Sequence, residues 1–198
     1  MKLYASATSP FARKVRIALI ELGLAEQVEL VPTNPLESDD FRAVNPLAKI
    51  PALVLDDGSV LYDSGVIVDY LNTLDGRNKL IPADGFARVG ELRRHALGDG
   101  ILDAAVSIAF ESRRPAEQQS ATWIARWKEA ITTGAAALAA DLAPGDFGLA
   151  GITAAAVADY VAFRFPDLDI SPLAAWRLHL GGRNSLERTH PARELVAA

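Results

Sequence analysis

The sequence changes character once, near residue 80, and that change limits the folds open to it. Up to about residue 76, short alternating segments rich in β-branched and aromatic residues lie between helical stretches. Beyond residue 85, long alanine-rich segments of helical periodicity follow one another with no clear strand. The polar stretch Arg77 to Gly85, with one proline and one glycine, separates the two regimes. At 198 residues the chain suits one large domain or two small ones, and the change of character favours two. The boundaries expected are an α/β domain over residues 1–76, a linker over 77–85 and an all-α domain over 86–198.

In the first part, Lys2 to Ser6 reads as a strand. Pro10 to Leu22 reads as a helix with Val15, Ala18, Leu19 and Leu22 on one face, stopped by Gly23. Ser9 is its natural N-cap and Pro10 its first turn. Gln27 to Val31 alternates as a second strand, and Leu36 to Val44 suits a short helix broken by Asn45-Pro46. Ala52 to Leu55 and Ser59 to Tyr62 flank Asp56-Asp57-Gly58, a hairpin signal. Asp63-Ser64 then opens a helix with Ile67, Tyr70, Leu71 and Leu74 in one stripe, ending at Asp75-Gly76. In the second part, Phe86 to Arg113, Ala116 to Leu142, Ala154 to Arg164 and Leu173 to Gly181 read as helices, separated by proline-containing stretches.

Half the residues are hydrophobic and 23% are charged, a composition that supports an ordered core. The net charge of -5 argues against a general grip on nucleic acid or on an anionic membrane. With no cysteine, the chain has no disulfide, no thiolate metal site and no thiol nucleophile, so any sulfur chemistry belongs to a ligand. His95, His179 and His190 are scattered without the paired spacing of a zinc motif, so no metal is expected. No segment reads as a signal peptide or membrane span, and a cytoplasmic location is the default. The cluster Arg13-Lys14-Val15-Arg16 reads as a solvated helix face, with Arg13 a lesser candidate for a ligand anion or a dimer contact. Trp123, Trp127 and Trp176 read as core or interface aromatics.

The order strand, helix, strand, helix, strand, strand, helix, with a proline before the third strand, is thioredoxin-like. Three segments make the resemblance specific: Thr8-Ser9-Pro10-Phe11-Ala12-Arg13-Lys14-Val15-Arg16, Asn45-Pro46-Leu47-Ala48-Lys49-Ile50-Pro51-Ala52-Leu53 and Tyr62-Asp63-Ser64. Together they resemble the glutathione S-transferase family, in which a thioredoxin-like domain precedes an all-helical one. Gly98-Asp99-Gly100-Ile101-Leu102-Asp103 and Arg114-Pro115-Ala116 look closest to a bacterial group of that family.

The resemblance implies a glutathione site made of Ser9, Phe11, Lys49, Ile50, Pro51, Asp63 and Ser64. Ser9, with Thr8 as runner-up, would donate a hydrogen bond that favours the glutathione thiolate without itself attacking. It implies a cis bond at Ile50-Pro51, with the Ile50 backbone binding the cysteinyl part of glutathione as another strand would. Lys49 would hold the glycine carboxylate, Ser64 the γ-glutamyl carboxylate and Asp63 its ammonium group. Many family members carry glutamate where Asp63 stands. Phe11, Ile101, Ala105 and Arg113 would line the electrophile pocket between the domains.

The residues read alone leave plainer roles open: Ser9, Asp63 and Ser64 as helix caps, Lys49 as a solvated lysine. Val157-Ala158-Asp159 resembles the family's helix-capping motif with Ala156 in place of its serine or threonine. Asp159 is then structural, with Thr153 as an earlier helix start. The function implied is conjugation of glutathione, as cosubstrate, to a small hydrophobic electrophile by a homodimer, without metal. The alternatives are a glutathione-dependent peroxidase or disulfide reductase, and a non-enzymatic stress-related binding protein that kept the fold.

Overall fold

In the computed structural model, which describes residues 1–74 and 76–194, the strands are β1 (Lys2–Ala5), β2 (Glu29–Pro32), β3 (Ala52–Val54) and β4 (Val60–Tyr62). They form one sheet in the order β2-β1-β3-β4. β1 runs parallel to β2, whereas β3 is antiparallel to both β1 and β4. The β1 to β2 crossover carries α1 (Pro10–Glu21). After β2 comes α2 (Phe41–Val44), and α3 (Ser64–Thr73) follows β4. This is the thioredoxin-like arrangement.

Its core is built from Leu3 and Ala5 of β1, Val15, Ala18 and Leu19 of α1, Leu53 of β3 and Ile67, Val68 and Leu71 of α3, all buried. Gly58 takes φ 86° in the hairpin, where a side chain would be strained. The strand expected from Gln27 begins two residues later, behind a 3-10 turn over Ala25–Gln27. The helix expected from Leu36 is only the four residues of α2. Asp75 of the expected α3 terminus lies outside the described residues.

Buried Asn72 closes this unit. Its Nδ2 donates to the Ile81 carbonyl at 2.9 Å, and its Oδ1 accepts from the Leu80 and Ile81 amides at 2.8 and 3.2 Å. Leu80 and Ile81 are thereby drawn into the core although the sequence around them is polar.

The chain separates into two units, one of Met1–Gly85 with the chain from Arg183 onward, the other Phe86–Gly182. Residues 183–194, which composition groups with the helical half, therefore pack in the first unit. There they form α8 (Asn184–Arg188) and α9 (Pro191–Glu194).

The second unit is helical: α4 (Gly85–Glu111), α5 (Ala121–Asp141), α6 (Leu149–Arg164) and α7 (Ser171–Leu178). Instead of one helix from Ala116, a 3-10 turn over Ala116–Gln118 precedes α5. Ser120 caps α5, and its own amide donates to Glu111 Oε1 at 2.8 Å. α6 begins at Leu149, so Thr153 is not a helix start but a buried interior residue. The cap comes from another helix: Gly148 has no side chain to offer, and Glu91 Oε1 of α4 accepts from the Ala150 amide at 2.7 Å. The other Glu91 oxygen accepts from Arg94 at 2.8 Å, and that contact raises the Arg94 pKa. Asp159 accepts from Nε and Nη2 of one guanidinium, that of Arg177 on α7, at 3.1 to 3.3 Å. Trp176 is buried and donates to the Ala143 carbonyl, whereas Trp123 is half exposed and stacks on Trp127.

α4 and α6 approach closely at Gly98, where a Cβ would lie 2.6 Å from Thr153 Cγ2. Thr153 cannot swing aside freely, because its hydroxyl donates to the Leu149 carbonyl and meets His95 Nδ1 at 2.9 Å. Gly90 of the same helix has open space around its Cβ position. Gly98→Ala is therefore expected to destabilise the protein by about 1–3 kcal/mol. Gly90→Ala is expected to stabilise it by about 0.5–1 kcal/mol. Chemical denaturation of the two variants checks the opposite signs.

Candidate functional site

Sheet register brings three loops to one end of the first unit. Tyr4 pairs with Ala52, and Ala52 pairs with Tyr62. The chain leaving β1, the chain entering β3 and the chain leaving β4 therefore meet at the same edge. The first holds Thr8, Ser9 and Phe11, the second Lys49, Ile50 and Pro51, the third Asp63 and Ser64. Ile101, Ala105 and Arg113 belong to α4 and the turn after it in the second unit. Ile101 and Ala105 are buried, and the exposed Arg113 guanidinium lies 4.8 Å from the centre of the Phe110 ring.

Ser9 is the N-cap of α1: its backbone is extended and its Oγ accepts from the Ala12 amide at 3.2 Å. This bond uses one lone pair, and the hydroxyl proton stays available for donation. Cap and donor are thus compatible roles for one side chain. Thr8 and Phe11 beside it are partly exposed.

The second loop is shaped by Asn45, which is 1% exposed. Its Nδ2 donates to the Lys49 carbonyl at 2.7 Å, its Oδ1 accepts from the Leu47 amide at 3.1 Å, and its own carbonyl accepts from the Ala48 amide at 2.8 Å. Ala48 sits in the left-handed region at φ 48°. The turn leaves Lys49 exposed and leads into the Ile50-Pro51 bond, which is cis. The β1–β3 ladder begins only at Ala52, so the Ile50 backbone lies outside it. Sequence reasoning passed over Asn45, reading an asparagine before a proline as a helix breaker; its bonds to the Leu47 amide and the Lys49 carbonyl, two and four residues on, make it the anchor of a local turn.

The third loop ends in strain. Asp63 has φ 65°, rare for a residue with a side chain, and caps α3 by accepting from the Gly65 amide at 2.7 Å. Ser64, the first residue of α3, is buried. Two helix N-termini, a lysine and an aspartate thus share one end of the sheet. The helix ends favour negative groups, and the two side chains suit a carboxylate and an ammonium. Such a set fits a small zwitterionic peptide with an anionic centre. Among the described residues no cluster of metal-binding side chains occurs, and no helix is long and apolar enough to cross a membrane.

The α1 basic cluster corrects an expectation. Arg13 and Lys14 are not on a solvated face: they are 2% and 0% exposed. Lys14 Nζ lies 5.2 Å from the centre of the Phe11 ring. Arg13 Nε donates to Thr189 Oγ1 at 3.2 Å and Nη2 to the Leu186 carbonyl at 3.3 Å, so the C-terminal segment covers this part of α1.

Residues 8–74 match the family model for the glutathione S-transferase N-terminal domain. Across 96% of the chain and 98% of the relative, the sequence is 34% identical to an uncharacterized GST-like protein, YibF, of Escherichia coli. The chain belongs to the glutathione S-transferase family. A solved structure of a family member from Pseudomonas fluorescens Pf-5 with bound glutathione is 40% identical, with a TM-score of 0.88 over 96% of this chain and 98% of that one. A glutathione S-transferase from Methylobacterium radiotolerans in complex with glutathione sulfonate is 35% identical, with a TM-score of 0.86 over 96% and 94%.

Because Asn45 organises the loop that presents Lys49 and Ile50, Asn45→Ala leaves a part-buried carbonyl and an amide without this partner. A loss of roughly 1–3 kcal/mol is expected. Urea unfolding measures it, and hydrogen exchange should show the amides of Leu47 and Ala48 exchanging faster.

Proposed function

We propose that the protein is a glutathione transferase that holds glutathione as its thiolate and directs the sulfur at a small hydrophobic electrophile. The observation that carries this is Ser9: a hydroxyl that caps α1 while keeping its proton, at the sheet end that also holds cis Ile50-Pro51 and the start of α3. The family members solved with glutathione and with glutathione sulfonate support the choice of ligand.

In this reading the Ile50 backbone pairs with the cysteinyl residue of the ligand. Lys49 takes the glycine carboxylate, Ser64 and the α3 amides take the γ-glutamyl carboxylate, and Asp63 takes the ammonium group. Ser9 donates to the sulfur. Lowering a thiol pKa by two units takes roughly 2.7 kcal/mol. A hydrogen bond to an anion supplies about 1.5–3 kcal/mol, and a helix N-terminus about 0.3–1. The two are sufficient without a further base. Sulfur attack then forms the thioether bond and releases the leaving group, or opens the electrophile, with no metal in the step. Phe11 and Arg113, which keep accessible surface, are assigned to the electrophile side, whereas Ile101 and Ala105 are buried within the helical unit and can act there only by packing; the enzyme is assigned to a cytoplasmic homodimer. The lack of cysteine in the chain favours this over a cysteine-type reductase.

Ultraviolet difference absorbance of bound glutathione against pH tests the reading. The native protein should lower the thiol pKa, and Ser9→Ala should raise it again by about 1–2 units, the equivalent of the lost hydrogen bond. Thr8→Ala should leave it near the native value. If glutathione does not bind, or binds with an unshifted thiol, the protein is not a transferase of this kind.

A further inference from the structure

Arg13 is the residue whose amide closes the first turn of α1 onto the Ser9 carbonyl, at 3.0 Å. Its guanidinium is buried and held by Thr189 Oγ1 and the Leu186 carbonyl, 176 and 173 residues away in sequence. Thr189 is itself pinned, donating to the Ser185 carbonyl at 2.8 Å. At the other end of α1, Glu21 accepts from Ser185 Oγ at 2.6 Å and from Arg183 Nη1 at 3.0 Å. Lys79 reaches the Glu21 carbonyl at 2.6 Å. Arg13 and Glu21 are eight residues apart, about 12 Å along a helix. Two anchors at that spacing fix the direction of the helix axis as well as its position.

We propose that residues 183–189 are a clasp that positions α1, with Arg13 and Thr189 as positioning residues that set where the Ser9 hydroxyl points. The functional part of this rests on Ser9 as the thiolate donor. A buried guanidinium is often no more stabilising than an apolar side chain of the same volume. What its directed bonds add is geometry, and Ser9 is one hydrogen bond away. A hydroxyl displaced at the cap weakens a charge-assisted bond that depends steeply on distance and angle. Glutathione affinity, spread over Lys49, Ile50, Asp63 and Ser64, does not depend on that alignment.

The test uses the full chain with Thr189→Val, which keeps the volume and removes the hydroxyl, and Thr189→Ser, which keeps the hydroxyl. Hydrogen exchange without ligand is the first readout: peptides over residues 10–14 should exchange faster by about threefold or more in the valine variant, with α3 unchanged. Thiolate titration is the second. The valine variant should raise the pKa of bound glutathione by about half a unit, a threefold loss of thiolate, while affinity for S-methylglutathione stays within about twofold. The serine variant should match the native protein in both. A lower melting temperature with native α1 exchange and native thiol pKa would overturn the clasp, leaving Thr189 a packing residue. If native protein fails to shift the thiol at all, the Ser9 reading falls, and the exchange experiment alone decides the clasp: unchanged exchange over 10–14 refutes it.

Discussion

The pairing of Tyr4 with Ala52 and of Ala52 with Tyr62 is the constraint on which the site depends. A sheet with side chains of period two tolerates no slip of one residue, since every buried residue would then face outward. Leu3 and Leu53, both buried and directly paired, lock this register. Once it is set, three loops distant in sequence have no choice but to gather at one edge. Their contents are then a matter of local chemistry: caps at Ser9 and Asp63, a turn held by Asn45.

The helical unit is held by contacts of another kind. Small residues let helices come close, as Gly98 does at Thr153 and Gly134 at Ile101. Buried polar groups are satisfied across helices: Glu91 to the Ala150 amide, His95 to Thr153, Arg177 to Asp159. Burying such groups is tolerable only because each has its partner. The alanine-rich composition of α6, buried from Leu149 to Ala158, follows from the same need for close approach.

Much of this was legible in the sequence where the signal is local. Alternation marked the strands, Asp57-Gly58 the hairpin, and Ser9-Pro10 the start of α1. The cis bond at Pro51 came from resemblance and not from any local rule. Part of what was not legible has partners far along the chain. Arg13 and Lys14 carry the composition of an exposed face yet are buried, Arg13 against a segment more than 170 residues later. Asn45, Asn72 and Glu91 each look like ordinary polar residues; only the fold reveals the main-chain groups they satisfy. The start of α6 was misplaced for the same reason, since its cap is a glutamate on another helix. Asp63 showed as a helix start, but its left-handed backbone did not, because nothing in an Asp-Ser pair announces it.

The return of the chain to α1 after residue 182 has a consequence for synthesis. A ribosome delivers the sheet and its helices early, yet the residues that cover Arg13 emerge only after the whole helical unit has been made. Until then, a cation on α1 and its apolar surroundings stand uncovered, a state that chaperones recognise. The unit made first is thus completed last, and a chain cut short anywhere in the helical half releases an unfinished N-terminal unit as well.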